Sequence, residues 1–182
     1  MKQHGPWKIK SSEVKYKNPW IEIREDQVIR PDGEDGIYGV VDMKHGVSVL
    51  ALDEDDCVYL TDEFQYAIGE QSLEVVSGGV DQNEDSLMAA KRELKEEAGI
   101  EAKEWIDLGK VNPFTSVINS SATIYLARKL NFTSKHQDGT ETLKIVRVKF
   151  DEAVNMVMSG KITHAQSCVL ILKAVKYLGK LV

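Results

Sequence analysis

The chain has 182 residues, of which 42% are hydrophobic and 29% charged, and its net charge is −6. This composition is that of a folded protein within the usual size of one domain, and it excludes a disordered or fibrous chain. Lysine and arginine are scattered rather than clustered, which argues against a nucleic acid polymer as partner. An acidic protein that handles anionic phosphates needs cations between the two, so the charge balance weakly favours a metal ion.

The amino terminus lacks the apolar segment of a signal peptide, and the apolar run that begins at Cys168 is interrupted by Lys173. We therefore expect a cytoplasmic protein that does not associate with membranes. Cys57 and Cys168 are far apart and form no CxxC pattern, which predicts neither a disulfide framework nor a zinc site. Both cysteines are expected to be buried and reduced.

The first half of the chain predicts antiparallel strands. Short runs rich in β-branched residues extend from Asn18 to Phe64, and they are separated by proline, glycine and aspartate. A further strand is predicted at residues 71–79. A helix follows from about Glu84 to Ala98, with Gly99 as its carboxyl-terminal stop.

In the second half, strands are predicted near residues 105–111, 121–130 and 143–150, with a polar loop at 131–142 and helices within 151–160 and 164–180. The last helix is expected to pack on the core through one face, formed by Cys168, Ile171, Leu172, Val175 and Leu178. Strands first, a helix in the middle and helices last together predict a mixed sheet covered on both faces.

The middle helix is the chemically informative segment. Its apolar residues form one stripe that must face the sheet: Leu87, Ala90, Leu94 and Ala98. Glu93 and Glu97 lie together on a flank of this stripe, and Glu96 is within reach of a shared point in front of them. Carboxylates at this spacing repel one another, which predicts a divalent cation, and all-oxygen ligation suits Mg²⁺ or Mn²⁺.

Arg92 is predicted to point away from this flank and to pair with Glu84 or Glu96, so that it positions the helix and the preceding loop. A charged run such as "KRELKEE" is ordinarily a solvated helix face. Here, however, the spacing is specific. Five residues separate Gly78 from Glu84, seven residues separate Glu84 from Arg92, and the run Arg92–Ile100 follows. This pattern resembles the complete motif of the Nudix hydrolases.

The resemblance implies an α/β fold, namely a Nudix-type α/β/α sandwich with a mixed β-sheet, preceded here by N-terminal antiparallel strands. It also implies that Glu93, Glu96 and Glu97 bind Mg²⁺ or Mn²⁺, with the Ser77 carbonyl as a further ligand. Glu96, Glu97 and Arg92 would serve catalysis. Gly78 would permit the turn that exposes the Ser77 carbonyl.

The segments flanking the motif, from about Trp20 to Leu178, resemble the ADP-ribose pyrophosphatase branch of that family. This resemblance implies a homodimer formed through strands in residues 1–44, with the Nudix hydrolase domain at 45–182. Pro113 stands near the place of a proline in a loop that meets the terminal ribose, although a proline there is as often a mere turn former.

The same branch places a general base in the loop before the last strand. Glu141 stands at that place and Asp138 is the reserve, although a loop acid is more often simply solvated. Where the branch usually has an arginine after the second core strand, this chain has Gln65, and Asp62 and Glu63 add negative charge. The loop after Pro113 also lacks the glutamate and glycine common there. Gln65 is therefore assigned to substrate binding with an altered preference.

The expected function is Mg²⁺-dependent hydrolysis of the diphosphate bond of ADP-ribose or a nucleoside diphosphate sugar, which releases a nucleoside monophosphate. The alternatives are a hydrolase of another sugar nucleotide such as GDP-mannose, and a non-catalytic Nudix-like nucleotide sensor. The three glutamates argue against a sensor, since binding alone does not need all of them.

Trp7 and Trp20 could stack on a base, but packing in the core or a dimer is the more ordinary role. The four histidines show no ligand spacing and are assigned no role.

Overall fold

The computed structural model describes residues 1–133 and 143–180. The chain divides into two compact units, of which the first combines residues 1–45 with 112–121 and the second comprises the rest of the described chain. The strands of the described residues, in chain order, are β1 Lys2–His4, β2 Trp7–Lys17, β3 Ile21–Ile29, β4 Asp35–Met43, β5 Gly46–Leu52, β6 Cys57–Gln65, β7 Glu70–Gly79, β8 Ile100–Val111, β9 Ile118–Asn119, β10 Ala122–Phe132 and β11 Lys144–Lys149.

The first unit is a sheet in the order β1-β2-β3-β4-β9, antiparallel except for the parallel β4–β9 pair. The strands β1, β2 and β9 are absent from the sequence-based prediction. Most of β2 is exposed, and the alternation of apolar and polar residues in "WKIKSSEVKYK" changes phase between Ile9 and Val14, so the sequence shows no single continuous strand pattern. The prediction of N-terminal antiparallel strands is confirmed, but the first of them begins earlier than expected.

The second unit contains a sheet in the order β11-β6-β7-β5-β10-β8. Strands β5 and β10 pair in parallel, and their other neighbours pair antiparallel, so the sheet is mixed as predicted. The helices of the described residues are α1 Ser86–Ala98, α2 Phe150–Met158 and α3 Ala165–Tyr177. None of them combines the length and apolar character needed to cross a membrane.

Helix α1 is well defined at both ends. The side chain of Asp85 accepts hydrogen bonds from the backbone N–H groups of Leu87 and Met88, which satisfies donors that the helix itself leaves open. Gly99 ends the helix in the left-handed conformation with φ of 65°, as the sequence predicted. These two caps fix the register of the charged residues between them.

Each face of this sheet carries its own apolar cluster. On one face α1 contributes to a cluster with β5 and β7 that includes Val47, Val49, Val76, Ala90 and Leu94. On the other face α2 and α3 contribute to a cluster that includes Leu50, Leu60, Val75, Phe150 and Ile171. Helices on both faces of a mixed sheet make the α/β/α sandwich expected above.

One apolar side chain of α3 was assigned wrongly. Ile171 and Val175 are buried as predicted, whereas Leu172 is 38% exposed. The helix presents Leu170 and Ala174 to the core instead, since the core face is centred nearer Ile171 than the sequence pattern indicated. Cys57 is buried, Cys168 is partly buried, and neither forms a disulfide bond.

Candidate active site

The site is built where β7 ends and α1 passes beside it. The Glu93 side chain packs its carboxyl group against Gly78, so closely that a Cβ on Gly78 would overlap the carboxyl carbon and both oxygens. Gly78 does not have a positive φ. The expectation that glycine is needed here for an unusual turn is therefore wrong: glycine is needed because the Glu93 carboxylate lies against the backbone.

Arg92 joins the helix to the loop that precedes it. Its Nε and Nη2 donate to the two carboxylate oxygens of Glu84, both at 3.0 Å, and Nη2 also donates to the Gly79 carbonyl at 2.9 Å. Glu84 in turn accepts a hydrogen bond from the backbone N–H of Asp81 at 3.0 Å. The predicted positioning role of Arg92 thus has a structural basis, because one side chain ties both Glu84 and the Gly79 carbonyl to α1.

The same guanidinium also contacts the predicted metal flank. Its Nη1 donates to Glu93 Oε1 at 2.8 Å and to Glu96 Oε2 at 3.1 Å. The expectation that Arg92 points away from that flank is therefore wrong, because its long side chain extends along the helix to the residues one and four positions after it. Among residues 1–133 and 143–180, no three His, Cys, Asp or Glu side chains gather into a group that could hold a metal ion. The expected convergence of Glu93, Glu96 and Glu97 is not seen, and Nη1 bonds two of the three.

Burial and charge compete at Glu93. Burial raises the pKa of the Glu93 carboxyl, and the hydrogen bond and charge of Arg92 offset this only in part. The pKa of Arg92 is raised in turn, first by its hydrogen bonds to Glu84 and then by Glu93 and Glu96. The guanidinium is thus permanently charged and offsets part of the negative charge of three carboxylates.

The carboxylates at this place are donors of the right chemical kind for a divalent cation, but in the part of the chain that the structure describes the side chains of Glu93, Glu96 and Glu97 are not gathered into a binding group. Glu93 is held in a cradle that a single added Cβ would fill, and Glu96 and Glu97 follow it on α1. Carboxylate oxygens are the donors that Mg²⁺ and Mn²⁺ prefer. Ser77 precedes Gly78 in β7 and is paired in register with Ser48 of β5, so its backbone belongs to the same strand end.

The predicted substrate residues are spread through the chain. Gln65 is half-buried at the end of β6, where its Nε2 lies 3.4 Å from Glu63 Oε2. Pro113 is exposed and belongs to the first unit. Glu141 and Asp138, predicted as general base and reserve, lie outside the described residues.

A second polar cluster was not found from sequence. His164 precedes α3, and its Nδ1 lies 3.0 Å from Glu74 Oε2 and 2.9 Å from the Ser167 hydroxyl. Ser167 is fully buried, and its hydroxyl accepts a hydrogen bond from the backbone N–H of Val75 at 3.0 Å. Beside it, the Ser48 hydroxyl donates to Gln166 at 2.6 Å. This cluster fastens the start of α3 to β7 and β5, the strands that position Ser77 and Gly78.

Sequence profiles identify the family. The profile of the NUDIX domain matches residues 43–167, more than half of the chain. The chain belongs to the Nudix family. As a Nudix hydrolase it carries the family motif on the strand end and helix described above. A second profile, that of the nucleoside diphosphate sugar hydrolase N-terminal domain, matches residues 7–41.

Individual proteins resemble this Nudix hydrolase over most of its length. The methanol dehydrogenase activator of Bacillus methanolicus is 22% identical, over 93% of this chain and 90% of the relative. The ADP-ribose pyrophosphatase of Mycobacterium tuberculosis is 26% identical, over 85% of this chain and 76% of the relative. A crystal structure of an ADP compounds hydrolase superposes with a TM-score of 0.85 at 22% identity, covering 98% of this chain and 97% of that one, which shows a shared fold.

Proposed function

We propose that this Nudix hydrolase cleaves the diphosphate bond of ADP-ribose or of a nucleoside diphosphate sugar and releases a nucleoside monophosphate. The observation that carries the proposal is the Glu93 carboxylate fixed against Gly78 by Arg92, with Glu96 and Glu97 following on α1. The substrate class is supported by the N-terminal match to nucleoside diphosphate sugar hydrolases and by the resemblance to an ADP-ribose pyrophosphatase.

The proposed reaction depends on Mg²⁺ or Mn²⁺, held by Glu93, Glu96 and Glu97 together with the Ser77 carbonyl. Such an ion would neutralise diphosphate oxygens, orient a water molecule and stabilise the leaving phosphate. Arg92 holds Glu93 in place and neutralises part of the charge of the carboxylates. Glu141 is the proposed general base, with Asp138 in reserve, and Pro113 is proposed to meet the terminal ribose.

Glu97→Gln tests the metal role, because it removes a charge and keeps the size of the side chain. We expect kcat to fall about 10²-fold or more, since electrostatic stabilisation of this kind contributes several kcal/mol. Glu101→Gln is the matched control, because Glu101 follows the motif and its side chain, which pairs with Lys95, is 46% exposed. Near-normal turnover of Glu97→Gln with the fold intact would refute the assignment.

A substrate panel separates the remaining alternatives. ADP-ribose, GDP-mannose and other sugar nucleotides are incubated with the wild-type enzyme and Mg²⁺, and the release of nucleoside monophosphate is followed by chromatography. Faster turnover of GDP-mannose than of ADP-ribose would move the assignment to another sugar nucleotide. Tight binding without metal-dependent turnover of any member would indicate the nucleotide sensor instead.

The homodimer is likewise a proposal, with residues 1–44 as its dimerisation element. It is supported by large apolar side chains on the first unit that are exposed to solvent, with Trp20 72% exposed and Ile37 64% exposed. Light scattering should give the mass of two chains, and Trp20→Ser should lower the fraction of dimer. A monomer with full activity at the same concentration would contradict the proposal. The cytoplasmic location expected from the sequence stays a prediction.

A further inference from the structure

The first unit contains a cavity of about 630 Å³ whose lining includes none of the residues assigned to the proposed reaction. It lies on the face of the sheet where Trp7 and Ile9 of β2, Asp26 of β3 and Tyr38 of β4 point, and the segment Thr115–Asn119 forms another wall. All of these residues belong to the first unit. The volume is in the range that small organic ligands fill.

The segment Thr115–Asn119 is attached firmly to the sheet. The Tyr38 hydroxyl donates to the Ser116 carbonyl at 2.5 Å, the backbone N–H of Val41 donates to the Val117 carbonyl at 2.8 Å, and β9 pairs in parallel with β4. The cavity is therefore bordered by the sheet and by a segment that is hydrogen-bonded to it.

A buried carboxylate lines this cavity. Asp26 is 4% exposed, and its Oδ1 accepts no hydrogen bond from any described residue. The nearest cation is the Arg24 guanidinium, whose Nε is 3.4 Å from Oδ1 and 3.5 Å from Oδ2. Leaving a charged oxygen buried without a donor is costly, so this oxygen calls for a partner such as water, an ion or a ligand.

The charges around the cavity determine which kind of ligand could donate a hydrogen bond to Asp26. Arg24 is shared, because its Nη1 donates to Asp42, a residue that also accepts from Asn119 at 2.5 Å. Two carboxylates thus share one guanidinium, and a negative charge is left over. Anions are disfavoured here, whereas a cationic N–H donor would pair with Asp26.

The aromatic wall favours the same class of ligand. Trp7 and Tyr38 meet edge to face, with ring centroids 5.4 Å apart. Aromatic faces attract organic cations, and a planar guanidinium can also donate to both oxygens of a carboxylate. We propose that this cavity is a binding site for a small organic cation, a guanidinium or ammonium group on a short apolar chain, with Asp26 as its counter-ion.

The test uses butylguanidine and butylurea, which have nearly the same shape and differ in charge. Isothermal titration calorimetry of the full-length wild-type protein should show butylguanidine binding at least ten-fold more tightly than butylurea, since hydrogen bonds between charged groups are stronger than neutral ones. Equal affinities, or no binding of butylguanidine, would overturn the proposal. This comparison requires no substitution and therefore does not depend on how a variant folds.

Two variants locate the site. Asp26→Asn keeps the size of the side chain, removes its charge and should weaken butylguanidine at least ten-fold. Asp35→Asn is the control, because Asp35 is an exposed carboxylate of β4 whose side chain is 75% accessible, and it should leave the affinity unchanged. Equal weakening by both variants would show general electrostatic attraction and refute the site. Binding of adenosine in place of the cation would refute the ligand class.

Discussion

The carboxyl group of Glu93 occupies the space that any side chain at position 78 would need. Gly78 lies near the end of β7 and Glu93 lies in the second turn of α1, so the motif brings its first and central residues into van der Waals contact. The glycine is thus required by a carboxylate rather than by the backbone conformation. A methyl group added at position 78 therefore tests whether the position of the Glu93 carboxylate matters for turnover.

Gly78→Ala should lower kcat about 10²-fold or more while leaving the fold intact. The added methyl group displaces the end of a flexible side chain, which costs the fold little, but a displacement of about 1 Å in a catalytic group is enough for such a loss. Turnover is measured by nucleotide release, and the free energy of unfolding by urea denaturation, where a change of about 1 kcal/mol or less is expected.

Gly39→Ala is the matched control for that experiment. Gly39 also lies in a strand, β4, but a Cβ there meets no atom within 4 Å. It should therefore leave turnover unchanged. If Gly78→Ala retained wild-type kcat, the Glu93 carboxylate would have no need of its position against β7, and the site would be misassigned.

Arg92→Ala should lower the free energy of unfolding by about 2–4 kcal/mol. The substitution removes the guanidinium that pairs with Glu84 and Glu93, and the side chains of these two residues are only 18% and 13% exposed. Removing one partner of a partly buried ion pair leaves the other charge uncompensated. Urea denaturation measures the effect.

Arg92→Lys gives an intermediate case, because lysine keeps the charge but cannot bridge both oxygens of Glu84 while reaching Glu93. Arg30→Ala is the control: Arg30 pairs with Asp32 at an exposed site, and a loss well below 1 kcal/mol is expected. Equal losses for Arg92→Ala and Arg30→Ala would show that the Arg92 network adds nothing to stability.

Glu74→Gln should destabilise the protein in a pH-dependent way. Burial by itself would raise the pKa of the Glu74 carboxyl, but the hydrogen bond and charge of His164 and a hydrogen bond from Ser72 outweigh it and lower the pKa below the ordinary 4.5. A carboxyl whose folded pKa is lowered stabilises the fold above its unfolded pKa and loses that contribution as the pH falls through the folded value.

The difference in unfolding free energy between wild type and Glu74→Gln should therefore be largest well above pH 4.5 and shrink below it. A difference of about 1.5–3 kcal/mol is expected at the higher pH, the usual contribution of a hydrogen bond to a charged group. Urea denaturation at pH 6.0 and at lower pH measures this. A difference that stayed constant on acidification would mean that the Glu74 charge does not act on the folded state.

Helix α1 was predictable from sequence because several independent signals agree there. The apolar stripe at Ala90, Leu94 and Ala98 requires a helix against a sheet, and Gly99 supplies the left-handed end. The spacing of charged residues within one helix then follows from geometry alone. The contact between Gly78 and Glu93 also joins two parts of this short motif, but the helical pattern alone did not predict it.

The parts that escaped prediction depend on contacts that the sequence does not encode locally. Strand β2 has apolar residues at alternate positions only near its two ends, with Ile9 and Val14 out of phase, so its pairing with β3 is what reveals it as one strand. The reach of Arg92 back to Glu93 reflects the length of one side chain, which a helical wheel ignores. The cluster of Glu74 with His164 joins residues ninety positions apart, and no pattern in the sequence relates them.

The residue at position 65 is expected to influence substrate preference. An arginine at this place could grip a phosphate oxygen pair, whereas glutamine offers a neutral, single-point contact. Gln65→Arg should therefore lower KM for ADP-ribose about ten-fold at saturating Mg²⁺, with kcat scarcely changed, because the motif residues are untouched. Glu63 lies 3.4 Å from the Gln65 amide and would compete for the new guanidinium, so adding Glu63→Gln should enhance the effect. A KM that is unchanged for every sugar nucleotide in both variants would show that residue 65 does not face the diphosphate, and would remove this reason to doubt ADP-ribose as the natural substrate.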